Sequence, residues 1–404
     1  MRELLHRRQW LQQALGWAML PALSLAARAQ ANGALPRFIA AWQNGAQQHI
    51  GQLAWTGATT ASGPQLLPLQ SLEVPTRAHA LQQEASGAIL AVARRPGDWL
   101  VRWLPGQAAQ WLWIEPDRVF NGHLLASADG RHIYTTETDL ADSQGLIGVR
   151  DARSLEKVAE WRTGGMDPHQ LLLDSDGSLI VANGGIPTQS ETGRRKLRLD
   201  HMDSSVVRLA PQDQGALQGQ WKLSDPRLSL RHLAWGAQVQ SGQARPGQAR
   251  PGQVRPGQPR RWLGVALQAE HDEAEAKLNA PVLAVFDGAS LRTVAAPQAL
   301  AGYGGDIAFT GTAFAVSCPR VNGVALFAPS PSGADIQWQG LQPLAGAYAL
   351  AATPPSDPPA SPRLWVGGAS EAFALDAAGQ AAGVAPASLG AIQLDNHWLR
   401  AQGS

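Results

Sequence analysis

Short apolar runs alternate with turn-forming residues along most of this chain. Two stretches share one order of features, namely histidine, apolar run, acidic-glycine turn and second apolar run: FNGHLLASADGRHIYTTETD from Phe120 and DPHQLLLDSDGSLIVANGG from Asp167. The runs are rich in Val, Ile, Leu, Trp and Thr and are bounded by Gly, Asp, Ser or Pro, which is typical of β-strands joined by turns. No long stretch outside the N-terminal segment has the apolar spacing of an amphipathic helix. The pattern predicts an all-β protein.

Groups of four such runs recur along the chain, which indicates a repeat architecture. The last group has a single run, QLDNHWLRA, while three runs at the N-terminal end, RFIAAWQ, IGQLAWT and PQLLPLQSL, lack a fourth. Joining them would close a ring and remove exposed sheet edges. We therefore predict a seven-bladed β-propeller of the WD40/YVTN type over residues 37–404, closed by the C-terminal strand. The predicted units begin at His79, His123, His169, His232, Asp306, Tyr348 and His397.

Residues 1–29 have the features of a cleavable export signal. Arg7 and Arg8 precede an apolar stretch and a small-residue pattern that ends at Ala29, which predicts a twin-arginine-type signal peptide. A general secretory signal with an incidental arginine pair is the alternative. The rest of the chain has no apolar run of roughly 20 residues, so we expect a periplasmic protein without stable membrane insertion.

Composition narrows the choice of partners and chemistry. The formal net charge is +1 and the basic residues form no stripe, so no nucleic-acid binding is expected. The lone Cys318 is more typical of a buried small side chain than of a nucleophile. An Arg-Pro-Gly-Gln repeat within residues 240–260 predicts a disordered loop. Local signatures of common enzyme classes, such as G-x-S-x-G, H-E-x-x-H and the P-loop, are absent from the sequence.

Histidines carry the main chemical signal. Five of the seven unit starts are histidines, from ten in the chain, and the first strand of each propeller blade lines the central channel. Several converging imidazoles could hold a metal, here iron or copper. Alternatively, each histidine at a strand start bonds its own blade, as in WD-type repeats. The candidate metal ligands are His79, His123, His169, His232 and His397, assisted by Glu137 and Asp139.

Other polar residues fall on loops that should open at the same end of the channel. Glu137 and Asp139 lie two apart, so they could share a side and act as a ligand pair or as acid and base; solvated loop carboxylates are the alternative. Basic side chains could clamp a carboxylate or phosphate, or anchor loops through salt bridges. The candidate ligand-binding residues are Arg94, Arg95, Asn183, Arg194, Lys196, Arg231, Asp306 and Arg320.

Several segments resemble the domain-of-unknown-function 1513 family, whose members are twin-arginine-exported bacterial proteins. The segments are GHLLASADGRHIYTTETD, GLIGVRDA, GGMDPHQLLLDSDGSLIVANGG, GRRKLRLDHM and LSLRHLAW, with shorter matches at RAHA, ARRPG, SCPR and DNHW. The Arg-Pro-Gly-Gln insertion and Cys318 depart from the family pattern. The resemblance implies an accessory role in periplasmic iron or other metal handling, with imelysin-like iron-uptake proteins and a di-haem oxidoreductase-like protein as partners.

Three functional hypotheses follow. The first is a periplasmic propeller that binds a transition metal or a small metal complex at the mouth of its channel. The second is a hydrolase or oxidoreductase that uses the same pocket, with a histidine or Glu137 as general base. The third is a protein-interaction platform on the broad loop face.

Overall fold

The computed structural model describes residues 36–57, 63–187, 198–239, 260–353 and 362–402. The predicted signal peptide, Arg194, Lys196 and nearly all of the predicted loop 240–260 lie outside these residues. The described part consists mainly of β-strands, with one short helix, α1 (Ala274–Asn279). Single 3₁₀ turns cover Leu199–His201, Pro211–Asp213 and Pro319–Val321. The prediction of an all-β fold is confirmed.

Twenty-eight strands are present in the described ranges. They are β1 (Arg37–Asn44), β2 (Gln47–Trp55), β3 (Leu66–Val74), β4 (Ala78–Gln83), β5 (Ile89–Ala93), β6 (Trp99–Trp103), β7 (Gln110–Trp113), β8 (Arg118–Ala126), β9 (His132–Asp139), β10 (Gly145–Asp151), β11 (Lys157–Arg162), β12 (Pro168–Leu173), β13 (Leu179–Asn183), β14 (Ser205–Ala210), β15 (Ala216–Trp221), β16 (Leu228–Val239), β17 (Arg260–Ala269), β18 (Leu283–Phe286), β19 (Leu291–Val294), β20 (Ile307–Phe309), β21 (Phe314–Cys318), β22 (Gly323–Pro329), β23 (Ile336–Pro343), β24 (Ala349–Ala352), β25 (Leu364–Gly367), β26 (Glu371–Leu375), β27 (Ala387–Ser388) and β28 (Ile392–Arg400).

These strands form six hydrogen-bonded sheets. Five sheets have four antiparallel strands each, in the chain order β4 to β7, β8 to β11, β12 to β15, β16 to β19 and β20 to β23. The sixth has eight strands, in the spatial order β27-β26-β25-β24-β28-β1-β2-β3. Within it, β28 pairs antiparallel with β1, whereas β24 and β28 meet in parallel through the single pair of Leu350 and His397. The C-terminal strand is therefore hydrogen-bonded to the N-terminal one.

The repeated acidic-glycine turns form hairpins of the same kind. Gly130 joins β8 to β9 with φ 67°, and Gly177 joins β12 to β13 with φ 83°. Both positions need a left-handed backbone, which glycine adopts without steric cost. The turns also share a bond of the glycine N–H to the carbonyl three residues earlier, on Ser127 and Asp174 respectively. The sequence repeat thus corresponds to a structural repeat.

Apolar clusters fill the spaces between neighbouring groups of four strands. Phe120 of β8, for example, packs with Leu90 and Leu100 of the preceding sheet. Phe38 of β1 stacks on Trp398 of β28 with ring centres 4.4 Å apart, and Trp365 of β25 joins the same cluster. Burying side chains between sheets rather than within one central core is how repeat proteins stabilise a long chain.

The first strands of successive groups also contact one another. Each of these strands contacts the next one, and the last, β28, contacts β4. The contacting pairs are β4 with β8, β8 with β12, β12 with β16, β16 with β20, β20 with β24, β24 with β28, and β28 with β4. Among the described residues, no helix has the length and apolar character needed to cross a membrane.

Candidate metal centre

Each of the five candidate histidines lies in a register shift of the first strand of its group. On β4, Ala78 pairs with Ala93 and Leu81 pairs with Ala91, so that two β4 residues, including His79, face one residue of β5. Such a bulge turns a side chain out of the regular alternation of a strand. Each of the other four histidines lies between two paired residues at which the register changes. These pairs are Phe120 and Leu124 around His123, Pro168 and Leu171 around His169, Leu230 and Leu233 around His232, and Leu394 and Trp398 around His397.

Side chains of neighbouring strands hold these bulges. The Thr136 hydroxyl accepts a hydrogen bond from the His123 N–H at 3.3 Å and donates to the His123 carbonyl at 3.4 Å. The Gln170 side-chain oxygen accepts a hydrogen bond from the N–H of Leu233, next to His232, at 2.5 Å. These bonds satisfy backbone groups that the interrupted strand pairing leaves free. The bulges at His123 and His232 are therefore held by side chains of neighbouring strands.

The imidazole rings of His79, His123 and His232 form a triangle. Their ring centres are 4.8, 5.4 and 5.9 Å apart. A point equidistant from the three centres lies about 3 Å from each, and an ion bound at about 2.0–2.1 Å by an imidazole nitrogen lies about 3.2 Å from the ring centre. The triangle therefore has the size that one metal ion requires.

The other two rings lie on opposite sides of this triangle. The His169 ring centre is 4.6 Å from those of His123 and His232 and 5.4 Å from that of His79. The His397 ring centre is 4.6, 4.7 and 5.2 Å from those of His232, His79 and His123. At these distances the rings of His169 and His397 would overlap if both lay on the same side of the triangle. The five rings therefore form a trigonal bipyramid with His169 and His397 at its apices. We call it the histidine cluster.

Ring nitrogens converge inside the histidine cluster. His232 Nε2 lies 3.0 Å from His169 Nε2 and 3.1 Å from His397 Nε2. One ligand atom each from His79, His123, His232 and His397 lie within 4.8 Å of one another. Two nitrogens bound at right angles to one ion at about 2.1 Å would be about 3.0 Å apart. The contacts of His232 match that arrangement.

The outer nitrogen of His397 has a carboxylate partner, because its Nδ1 lies 3.1 Å from Oδ2 of Asp306. Asp306 is buried and also accepts hydrogen bonds from the N–H groups of Ile307 and Leu350. A carboxylate on the outer nitrogen fixes the tautomer of a metal-ligating histidine. Five other ring nitrogens are buried without a hydrogen-bond partner among the described residues: His79 Nδ1 and Nε2, His123 Nε2, His169 Nδ1 and His232 Nδ1. Those of His79 and His123 are costly unless a ligand satisfies them, whereas His169 and His232 already turn Nε2 toward the interior.

Burial keeps four of the imidazoles neutral. It lowers the pKa values of His79, His123, His169 and His232 well below 6.5, and mutual repulsion between the rings lowers them further. The positive charge of Arg231 adds to this lowering for the last three of these residues. Only a neutral imidazole has a free lone pair for a metal. The cluster is therefore ready to bind an ion at neutral pH.

An ion-paired group lies beside the histidine cluster. Asp167 is buried and accepts hydrogen bonds from Arg95 at 2.5 Å and from Arg231 at 2.8 Å. Arg231 is 1% exposed, and its Nε and Nη2 atoms have no hydrogen-bond partner within the described ranges. Arg94 lies close enough for its charge to lower the pKa values of His79 and His232. Together with Asp306, which contacts His397, four of the predicted ligand-binding residues thus lie beside the cluster.

Glu137 and Asp139 do not join the histidines. Glu137 is fully buried, and its carboxylate pairs with Arg150 at 2.6 Å and with Lys157 at 3.2 Å. Asp139 pairs with Arg118 at 3.2 Å. Both carboxylates therefore belong to an ion-pair network of the β8 to β11 sheet.

Asn183 and Arg320 have partners other than a bound ligand, and Cys318 is buried, as the sequence predicted. Asn183 is buried and donates to the Ser205 hydroxyl at 3.2 Å. Arg320 is exposed, lies over the Tyr303 ring at 4.4 Å and donates to a backbone carbonyl. Cys318 is buried, and burial raises the pKa of its thiol to about 12, which makes it a poor nucleophile.

Three residues next to the histidine cluster were not predicted from the sequence, because they act through backbone hydrogen bonds or ion pairs. They are Thr136, Gln170 and Asp167. Asp167 adopts φ 51° directly before the Pro168-His169 pair, and such a conformation is uncommon outside glycine. An aspartate preceding Pro-His in the repeated segment was the signal available in the sequence.

The chain is similar in sequence to one protein family and in structure to several solved proteins. Residues 72–401 match the family described as protein of unknown function (DUF1513). No curated protein matches the sequence significantly. A Lactobacillus plantarum protein of known structure is 15% identical, with 90% of this chain and 98% of that chain covered and a TM-score of 0.54. A proposed 6-phosphogluconolactonase from Bacteroides fragilis is 15% identical, with 90% and 97% covered and a TM-score of 0.53.

The β-propeller domain of Cps50 (Swd1) from Myceliophteria thermophila is 14% identical, with 70% and 77% covered and a TM-score of 0.39. At 15% identity, the likenesses to the Lactobacillus plantarum and Bacteroides fragilis proteins concern the fold alone. The class of protein defined by the sheets and the site is a propeller-like all-β protein with a buried histidine cluster. The chain belongs to the DUF1513 family, as the sequence resemblance indicated.

Proposed function

We propose that this protein binds a single transition-metal ion inside the histidine cluster. The proposal depends on one observation, which is the convergence of five imidazoles from five different sheets at the spacing of a metal site. Histidines that each bond their own blade would not leave both ring nitrogens of His79 buried without a hydrogen-bond partner among the described residues. Imidazole is a ligand for Fe, Cu, Ni and Zn, so both iron and copper, the two metals predicted, remain candidates.

A seven-bladed ring is part of this proposal. Six of the blades are the groups that begin at β4, β8, β12, β16, β20 and β24, and the seventh combines β28 with β1, β2 and β3. The eight-stranded sheet then represents two adjacent blades joined by the single bridge of Leu350 and His397. The contact of β28 with β4 supports closure, and closure is what brings His397 next to His79.

Elemental analysis of the natively exported protein tests the proposal. Protein purified without affinity metals should contain about one transition-metal ion per chain, because the cluster has room for one ion. The variant His79→Gln/His123→Gln should lose that metal, whereas His132→Gln, which changes a histidine on β9 outside the cluster, should retain it. A metal content equal to that of a blank, with no effect of added metal on the melting temperature, would reject the proposal.

The wider role in the cell remains a separate proposal. Periplasmic export and an accessory role in iron or other metal handling, with imelysin-like and di-haem oxidoreductase-like partners, come from the family resemblance. Pull-down with these partners, using protein whose cluster is intact or substituted, tests them together with the interaction-platform hypothesis. The lactonase-type alternative is supported by likeness of fold alone, and likeness of fold carries no activity.

A further inference from the structure

We infer that the histidine cluster is a closed coordination shell, in which five imidazoles surround a divalent late transition-metal ion and leave no position for water or substrate. This inference rests on the proposed function and specifies it. A site that uses all its positions for protein ligands holds an ion, whereas a catalytic site keeps one position open. The cluster would therefore hold the metal rather than use it as a Lewis acid.

The first argument is geometric. Five ring centres at the vertices of a trigonal bipyramid leave none of its five directions vacant. Both apical rings make a contact that fixes their orientation: His397 Nδ1 lies 3.1 Å from Asp306 Oδ2, and His169 Nε2 lies 3.0 Å from His232 Nε2. Neither apical ring can turn away without breaking its contact. An incoming ligand would have to displace an imidazole.

The second argument concerns solvent. His79, His123, His169 and His232 are between 1% and 5% exposed, and the side chain of the fifth ligand, His397, is 13% exposed. A catalytic ion needs access for substrate and water, and the ion-paired group of Asp167, Arg95 and Arg231 lies directly beside the rings. The surroundings thus favour retention of the ion over exchange of ligands on it.

The third argument concerns charge and selects the metal class. All five ligands are neutral imidazoles, so the ion keeps its full charge in a buried place. Arg231 is a buried cation that shares its ion-pair partner Asp167 with Arg95, and the charge of buried Glu270 also acts on it. Asp306 contributes one negative charge at the outer nitrogen of His397. A trivalent ion would be penalised more than a divalent one, and hard ions prefer oxygen ligands. The shell therefore favours Cu²⁺, Zn²⁺, Ni²⁺ or Co²⁺ over ferric iron.

Cobalt supplies the test, because the visible spectrum of Co²⁺ reports its coordination number and its ligands. The metal-free full-length protein is titrated with Co²⁺, and the cobalt protein is then titrated with azide. We expect a weak five-coordinate spectrum that azide leaves unchanged. In His169→Ala, which removes one apical ligand, azide should bind and change the spectrum. His132→Ala is the matched control and should behave like the unchanged protein.

Each outcome separates the two proposals. If no cobalt spectrum develops in the folded protein, both the metal site and its closed shell are wrong. If cobalt binds and azide alters the spectrum of the unchanged protein, the metal site stands and the closed shell is wrong. The azide arm needs no variant, so it is decisive even if His169→Ala does not fold. In a parallel competition, ferric citrate at tenfold excess should leave bound Co²⁺ in place; displacement would overturn the selectivity.

Discussion

The Nδ1–H of His397 donates a hydrogen bond to Oδ2 of Asp306 across 3.1 Å. This contact leaves the other nitrogen, Nε2, with its lone pair directed at the interior of the histidine cluster, 3.1 Å from Nε2 of His232. The residue pair joins the seventh predicted unit to the fifth. Its geometry leads directly to a test.

Asp306→Asn should weaken metal binding about 10- to 100-fold, as is typical when a partner of a ligating histidine is lost. The change removes the charge that holds the His397 tautomer while conserving size. The measurement is a Co²⁺ or Cu²⁺ titration of the folded variant. Asp335→Asn is the control, because Asp335 likewise accepts a hydrogen bond from the next residue's N–H but lies outside the cluster. Equal affinities for both variants would show that Asp306 does not position His397.

Metal-free protein should lose stability as the pH falls below about 6.5. Burial lowers the folded-state pKa values of His79, His123, His169 and His232, so below 6.5 the unfolded chain binds protons that the folded chain does not. Stability therefore rises with pH through this range, by about 1.4 kcal/mol per histidine and pH unit below the unfolded pKa. Above 6.5 these residues should contribute no pH dependence.

Urea unfolding between pH 5.5 and 7.5 measures this dependence. The double variant His123→Gln/His169→Gln should show roughly half of the histidine contribution to the slope, because glutamine does not titrate. His201→Gln, which removes an exposed histidine, should leave the slope unchanged. An identical slope in the double variant would contradict the assignment of the pH dependence to the cluster.

Gly122→Ala should both destabilise the protein and weaken metal binding. A Cβ at this position would lie 2.7 Å from Cδ2 of His79, and the backbone has φ 99°. We expect a loss of about 2 kcal/mol or more in the free energy of unfolding from strain and overlap. Gly130→Ala is the matched control, since it has φ 67° with open space around its Cβ. The metal affinity should fall in the first variant alone; an equal fall in both would exclude the contact with His79 as the cause.

Glu137→Gln should destabilise the fold without changing metal binding. Glu137 and Arg150 are both fully buried and 2.6 Å apart. Loss of the Glu137 charge leaves buried Arg150 with only the longer contact of 3.8 Å to Glu115 among the ion pairs of the described residues, at a cost of about 3 kcal/mol. Thermal unfolding and a Co²⁺ titration of the remaining folded protein give the two readouts. Weaker Co²⁺ binding by folded Glu137→Gln would contradict this prediction and show that Glu137 contributes to the metal site.

Most of the architecture could be read from local patterns. The β-strands follow from short apolar runs, and the equivalence of the two hairpins follows from their shared acidic-glycine turns. The five histidines stood out because each opens a repeated unit. The role of Glu137 could not be predicted in this way, because its position in β9 does not show that Arg150 on β10 lies close enough to bind its carboxylate.

The alternation of apolar runs and turns follows from the order of the amino acids, since strand formation and turn geometry depend on neighbouring residues. The same order shows which position in each unit carries a histidine. The tertiary structure decided where those side chains point, because a register shift depends on pairing between strands and one extra residue redirects a side chain. It also decided which charges meet, since Arg231 and Asp167 are 64 residues apart in the chain and come together only when their sheets pack side by side.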